Sequence, residues 1–398
     1  MSLRTRRRPR LITTPFLLIA AATLAFFTSA GVTLPAVPLY VDGPLRGSEV
    51  AVGLSVGLFS VSALLARPFA GRLGDTRGRR LIMVAGALTV AVSILGYAAS
   101  SSILALNLFR LLTGVGEAFF FTGAVAAIVD LAPEERRGEA VSFFSLALYL
   151  GIGVGPFIGE SVIEAFGFTV TWVVTAALSG AAGALAVAVP ETRPQTAGPP
   201  TRTRLLHPAA LLPGTALLAS VWGQSGFFAF VPLYAPTLGL AGSRFVFILY
   251  SAIVIAIRSF GATIPDRIGA VRASRVSLAF SAAGLTLVAL LRSPVGLFVG
   301  VSVFAIGSAL AFPALVTLAL RGTDPAERGV VMGTVGAFVD LAFGIGPATL
   351  GLVSAAFGYR GAFLAAAVVA CAGLLLVLGA YRLRTPTSLE RLPRSSGG

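Results

Sequence analysis

A guanidinium and a carboxylate, both rare inside apolar helices, share one stripe of the segment Asn107-Leu-Phe-Arg110-Leu-Leu-Thr-Gly114-Val-Gly116-Glu117-Ala-Phe-Phe-Phe121. At 100° per residue Asn107, Arg110, Gly114, Glu117 and Phe121 fall on one helix face. A bare charge at the middle of a bilayer costs about 2.5 to 3.5 kcal/mol on the insertion scale, so such groups face a partner or a wet cavity. Arg110 and Glu117 stand about 10 Å apart along a helix axis and need not pair directly. Burial and a nearby guanidinium act in opposite senses on a carboxyl's proton. Glu117 is therefore expected to carry a proton, tuned by Arg110. Asp340, the second carboxylate inside an apolar run, is expected to be either another proton site or a buried partner for Arg110 or Arg67. Arg67 and Arg258 lie near span ends, where long side chains snorkel to the headgroups.

Other chemistry is removed by subtraction. All 30 basic side chains are Arg, with no Lys anywhere in the 398 residues. A P-loop needs its Lys to reach the phosphates, and pyridoxal and retinal Schiff bases need one too. One Cys (Cys371) and one His (His207) cannot assemble a disulfide or a zinc site. No Ser-His or metal constellation surrounds that His, so no enzyme, no cofactor and no metal are expected.

The elements that must hold these groups are membrane helices. Apolar residues make up 56% of the chain and charged ones 12%, about half the usual charge of a soluble protein. Apolar stretches long enough to cross about 30 Å of hydrocarbon run at 14–40, 49–71, 81–100, 103–130, 139–163 and 168–189. A second six follow at 209–235, 245–265, 274–291, 294–320, 329–356 and 361–381, which predicts twelve spans. The opening MSLRTRRRPRLITTPFLLIAAATLAFF imitates a signal peptide, but its apolar run is too long and continues through Pro35 and Pro38, so it reads as the first span.

With both termini cytoplasmic, only Arg46, Arg244, Arg292 and Arg360 lie outside, and Arg67, Arg110 and Arg258 lie within spans. The remaining 23 Arg are then cytoplasmic, as the positive-inside rule demands of a multi-pass cell-membrane protein. The net charge of +14 is thereby a topology signal and an attraction to anionic membrane lipids, with no nucleic-acid partner implied.

The chain repeats itself. At an offset of 191, Arg67, Phe69, Asp75, Gly78, Gly116, Arg137, Gly138, Gly153, Gly155, Pro156, Phe166 and Gly167 meet Arg258, Phe260, Asp266, Gly269, Gly307, Arg328, Gly329, Gly344, Gly346, Pro347, Phe357 and Gly358. Upstream, Val37-Pro38-Leu39-Tyr40 returns as Val231-Pro232-Leu233-Tyr234. Each copy holds an even number of spans, so the two are parallel in orientation, the layout of transporters with a midplane site between repeats. The predicted organisation is an all-α integral membrane fold: an N-terminal six-helix half at 1–190, a cytoplasmic linker at 191–208, a C-terminal six-helix half at 209–384 and a cytoplasmic tail at 385–398.

Between spans 2 and 3 lies Gly71-Arg-Leu-Gly-Asp75-Thr-Arg-Gly78-Arg79-Arg80. An acid among guanidinium forks and close-packing glycines could latch the cytoplasmic side. The decapeptide resembles the loop 2-3 signature of the major facilitator superfamily, with Gly74 at its Ala position and Thr76 at its basic one. The resemblance implies a rocker-switch carrier whose cavity is lined by spans 1, 4, 7 and 10. It also implies that Asp75 docks on the partner half and Arg79 pairs with Asp130 at the end of span 4. Arg110, Gly114 and Gly116 resemble the span-4 signature of proton-coupled members, whose Arg is assigned to proton transfer. In span 5, Gly151, Gly155, Pro156 and Gly159 resemble the signature that tracks export by antiport, with Glu160 in place of its final Gly. By chemistry alone these glycines permit a tight helix crossing, and Glu160, near the outer end, is expected to be solvated.

The combined expectation is a monomer that exports small lipophilic compounds in exchange for protons. Glu117, Arg110 and Asp340 handle the proton. Asn107, Gly114, Phe121, Tyr149, Gln224 and Phe228 line a substrate cavity. Asp75, Gly71, Gly78, Arg79 and Asp130 gate it, and Gly151, Gly155 and Pro156 pack helices. Uptake of a sugar or organic acid on the same scaffold is one alternative, and a membrane sensor or scaffold that moves nothing is another.

Overall fold

The computed structural model describes residues 11–192, 206–260, 267–324 and 327–382. Among these it is all helix: α1 (Thr14–Asp42), α2 (Glu49–Arg77), α3 (Arg79–Ala98), α4 (Ile103–Leu131), α5 (Arg137–Val187), α6 (Pro208–Thr237), α7 (Arg244–Phe260), α8 (Ala270–Leu290), α9 (Pro294–Leu320) and α10 (Arg328–Arg382), with a short 3-10 turn at Glu134–Arg136. Nine of the described helices are long and apolar enough to cross a membrane; α7, with 17 described residues, is not among them. The terminal tails, most of the 191–208 linker, the end of the predicted 245–265 span and Asp266 lie outside the described residues.

Local chemistry sets where these helices begin. On the Arg-poor side, Ser48, Ser102 and Ser293 cap α2, α4 and α9 by accepting from Ala51, Ala105 and Gly296 N–H, each cap contributing about 1 kcal/mol. Where the sequence predicts spans 139–163 and 168–189, α5 consists of two helical stretches that meet directly at a break at Gly167, with φ 78° and ψ 179°. The predicted 329–356 and 361–381 spans are likewise joined in α10 and broken at Gly358 with φ 71° and ψ 175°. That backbone region is essentially reserved for glycine. A Cβ would meet nothing within 4 Å at either residue, so the restriction is conformational. Gly78 and Gly269, another repeat pair, also have positive φ.

Helices α1 to α5 pack largely on one another, as do α6 to α10. Trp172 lies edge-on to Tyr40 and Tyr97 in the first group, while Phe227, Phe228, Phe247, Tyr250 and Phe304 cluster in the second. The repeated tyrosines do equivalent work: Tyr40 donates to Ser100 O at 2.9 Å and Tyr234 to Val288 O at 3.2 Å, each tying a first helix to the end of a third. Two main seams join the groups, α2 against α10 and α5 against α7, with a smaller contact of α1 and α2 on α6.

Candidate functional site

Glycine brings α2 and α10 into backbone contact. A Cβ on Gly57 would collide with Gly344 O, one on Gly53 with Pro347 O, and one on Gly351 with Glu49 O. Small residues at such a crossing replace side-chain packing with direct helix contact. About 15 Å further along α2, ten residues past Gly57, Arg67 spans the seam. Its Nε donates to Asp340 Oδ2 at 2.6 Å and its Nη2 to Oδ1 at 3.0 Å, a bidentate fork. The same Nη2 lies 3.6 Å from Glu117 Oε2, and the Phe121 ring sits 5.0 Å from the guanidinium carbon. One cation thus serves two carboxylates, from α4 and α10. Glu117 Oε2 is buried and accepts no hydrogen bond among the described residues. An acceptor in that condition is costly and open to a proton or a polar ligand.

The predicted stripe on α4 exists, but its neighbour from Asn107 to Glu117 is α2, and Phe121 packs on Phe27 of α1 and Phe144 of α5 as well. Ser55 donates to Asn107 Oδ1 at 2.7 Å. Arg110 donates from Nε to Ser55 O at 2.7 Å and from Nη2 to Val56 O at 3.0 Å, and it covers the Phe59 ring. A Cβ on Gly114 would strike Phe59 O. Two expectations are corrected accordingly. Arg110 is engaged by α2 carbonyls, and the cation facing Glu117 is Arg67. Asn107 and Gly114, expected at a cavity wall, are engaged in the α2/α4 crossing. Arg67 and Arg258, expected to snorkel, each have a partner: the first is ion-paired and the second sits 4.1 Å over the Tyr149 ring.

Tyr149 and Arg258 are the repeat partners of Asp340 and Arg67, so the α5/α7 seam carries the same contact in another chemistry. Ser308 stands at the repeat position of Glu117. It shares a hydrogen bond of 2.6 Å with Tyr250 Oη, which accepts from Gln224 Nε2 at 2.7 Å. Phe228 is buried against Tyr250, Phe247 and Phe343. Gln224 and Phe228, expected at a cavity wall, are tied into the aromatic cluster of the second group.

On the Arg-rich side, Arg79 reaches Asp75 at 2.7 Å and Asp130 at 3.5 Å. Asp75, expected to dock across the molecule, is paired one helical turn away within its own group. Sequence reasoning missed Glu191, whose Oε1 accepts from Arg79 N at 2.7 Å and Arg80 N at 3.4 Å. An acid at a helix N-terminus is favoured by the exposed amides and the dipole. Gly78 leaves the space this carboxylate occupies, and nothing lies within 4 Å of a Cβ on Gly71.

The glycine run on α5 meets α1 as a tight crossing. A Cβ on Gly31 would come within 2.8 Å of Gly151 O and 3.0 Å of Gly155 Cα, and Gly153 turns to Ser251 on α7. Pro156, inside α5, is buried at this level. Glu160 is buried, with 8% of its surface exposed, against the expectation of a solvated acid. It accepts from Ser243 N at 2.8 Å, Arg244 N at 2.8 Å and the Ser243 hydroxyl, closing the start of α7. Arg244 returns to Glu164 at 2.6 Å. Among the described residues no cluster of His, Cys, Asp and Glu could hold a metal ion.

Compared with known proteins, the chain matches the family model described as Major Facilitator Superfamily over residues 19–323 and 245–397. An uncharacterized MFS-type transporter of Salmonella typhimurium is 30% identical over 369 residues, which cover 90% of this chain and 94% of that protein. A second, from Burkholderia pseudomallei, is 27% identical over 372 residues, covering 92% and 91%. Among solved structures, a bacterial homolog to the human lysosomal transporter Spinster, inward-facing and occupied, has a TM-score of 0.78 at 16% identity. It covers 92% of this chain and 96% of that one.

Proposed function

From the premise that this chain belongs to the Major Facilitator Superfamily, and is therefore a multi-pass membrane transporter, we propose that it exports small lipophilic compounds in exchange for protons. Counting α5 and α10 as two spans each gives twelve, arranged as six-span halves at 1–190 and 209–384 on either side of the 191–208 linker, with 385–398 as a tail. The Arg-rich side, carrying both termini, is cytoplasmic by the positive-inside rule.

The observation that carries the reading is the Arg67, Asp340 and Glu117 triad across the seam between the halves. A single guanidinium balances one carboxylate, so the triad becomes neutral by taking up one proton. Buried groups that exchange a proton in a membrane belong to transport pathways more often than to scaffolds. A proton on Asp340 weakens its charge-assisted fork to Arg67, which frees α2 to move against α10. Protonation and the rocking of the halves are thereby coupled.

The closest backbone approaches between the halves lie toward the Arg-poor side, at Gly53 and Gly351, where Glu160 also ties α5 to the start of α7. On the other side nothing lies within 4 Å of a Cβ at Gly71, Gly333 or Gly336. Both features support a state closed to the exterior and open to the cytoplasm. Phe121 and Tyr149, each under an arginine, form the apolar walls at the depth of the triad. Asp75, Gly71, Gly78, Arg79 and Asp130 close the cytoplasmic side in the opposite state.

Inside-out vesicles with an imposed proton gradient and ethidium as probe test this reading. Wild type moves the dye uphill, and Glu117→Gln combined with Asp340→Asn abolishes that movement while the protein remains folded. Uphill transport that survives the double substitution unchanged sinks the proposal.

A further inference from the structure

The Arg-poor side holds few arginines, and two of them converge. A cavity of about 370 Å³ is lined by Tyr234, Thr237 and Leu238 at the end of α6, Arg292 in the α8–α9 turn and Arg360 just past the Gly358 break. That volume is within the range of small-molecule sites. Arg360 is fixed in place, its Nε donating to Ala289 O at 2.6 Å. Neither Arg292 nor Arg360 makes an ion pair among the described residues, whereas Arg244, on the same side, is matched by Glu164.

Two like charges on one cavity repel each other, and positive residues are disfavoured on this face of a membrane protein. Scaffold demands do not explain them either. At the 191-residue offset Arg292 and Arg360 correspond to Ser101 and Thr169, so the first half builds the same corner with neutral side chains. The hydroxyls of the cavity are committed: Tyr234 donates to Val288 O, and Thr237 donates to Tyr234 O. Recognition therefore rests on the two guanidiniums, whose planar forks match carboxylate and phosphate oxygens. The Tyr234 ring and Leu238 supply an apolar wall beside them.

We propose that this cavity is an anion-binding site for a phosphate-bearing ligand, placed at the membrane boundary on the Arg-poor face and separate from the Arg67 triad. The phosphate could come from an anionic lipid headgroup or from a soluble ion, and either source fits the same pair of forks. The site does not depend on the direction or coupling of transport.

The full-length protein in phosphatidylcholine nanodiscs provides the test. In one arm, inorganic phosphate is titrated against chloride at equal ionic strength and the shift in thermal unfolding gives an apparent affinity. In the other, nanodiscs containing phosphatidylglycerol are used, and native mass spectrometry counts the phosphatidylglycerol retained. Arg292→Gln is the diagnostic variant, since Arg292 is exposed in a turn and folding does not need it. Arg46→Gln, an exposed arginine outside the cavity, is the control. The expected result is an affinity about tenfold weaker for Arg292→Gln in one arm, the size of one charge-assisted hydrogen bond, with Arg46→Gln matching wild type. Loss in the phosphate arm identifies a soluble anion, and loss in the lipid arm identifies a headgroup. Equal behaviour of Arg292→Gln, Arg46→Gln and wild type in both arms overturns the proposal.

Discussion

The α2/α10 seam and the α5/α7 seam are related by the repeat, yet they are built differently. Arg67 forks onto Asp340 in the first, and Arg258 lies on the Tyr149 ring in the second. Glu117 approaches Arg67, while its counterpart Ser308 binds a tyrosine hydroxyl. Glu160 closes the start of α7, while its counterpart Gly351 lets α10 press on the start of α2. Positions filled alike in both copies, such as Gly153 and Gly344 or Gly167 and Gly358, hold the architecture together. Charges present in one copy only are additions that the fold does not require. The α2/α10 seam is the ionic one at the depth where transport is proposed, and among the described residues the α5/α7 seam has its ion pair at its Arg-poor end.

Four measurements sharpen or break that contrast. The largest effect is expected from Arg67→Met, which leaves two carboxylates without their cation. The loss lies toward the lower end of about 3–5 kcal/mol, because the Arg67 side chain is 30% exposed. Arg258→Met removes a cation–π contact worth about 0.5–2 kcal/mol, and equal losses in thermal unfolding would erase the distinction between the seams. Next is Glu160→Gln, which gives up hydrogen bonds to a charged acceptor worth about 1.5–3 kcal/mol. In a background with the exposed Cys371 replaced by Ala, maleimide labelling of Ser251→Cys should then quicken about tenfold or more. An unchanged rate would mean that Glu160 does not hold the seam closed. Smaller costs, about 1–3 kcal/mol, are expected of Gly167→Ala and Gly358→Ala. They should match each other, since the breaks have the same geometry. Smallest are Ser102→Ala and Ser293→Ala, at about 1 kcal/mol each and again alike.

Much of the fold was legible because its determinants are local or periodic. Apolar run lengths located the helices within a few residues, and the offset of 191 paired the glycines that turn out to break α5 and α10. The sequence separates these two spans at the right place, and what it does not foretell is that the turn between them shrinks to Gly167, because a one-residue turn leaves no polar stretch. The site was less legible because helix rotation is set by neighbours far away in the chain. The α4 stripe was found, but nothing in it says that α2 covers Asn107, Arg110 and Gly114. Asp340 was offered as a partner for Arg110 or Arg67, and sequence spacing could not choose between them, since Arg67 and Asp340 are 273 positions apart. The repeat held an unused signal: a contact between 67 and 340 implies its mate between 258 and 149, and those four residues are an arginine with an acid and an arginine with an aromatic ring. Glu160 was misread as solvated because its acceptors' donors come from the opening of another helix.

The breaks at Gly167 and Gly358 leave almost no chain outside the bilayer at those two corners, and on the same face Ala99 to Ser102 and Leu291 to Ser293 are the whole of two further connections. A protease or antibody approaching from that compartment finds little to grip. Epitope tags, reporter fusions and cleavage sites intended to leave the protein working therefore belong at the opposite face, in the stretch that joins α5 to α6.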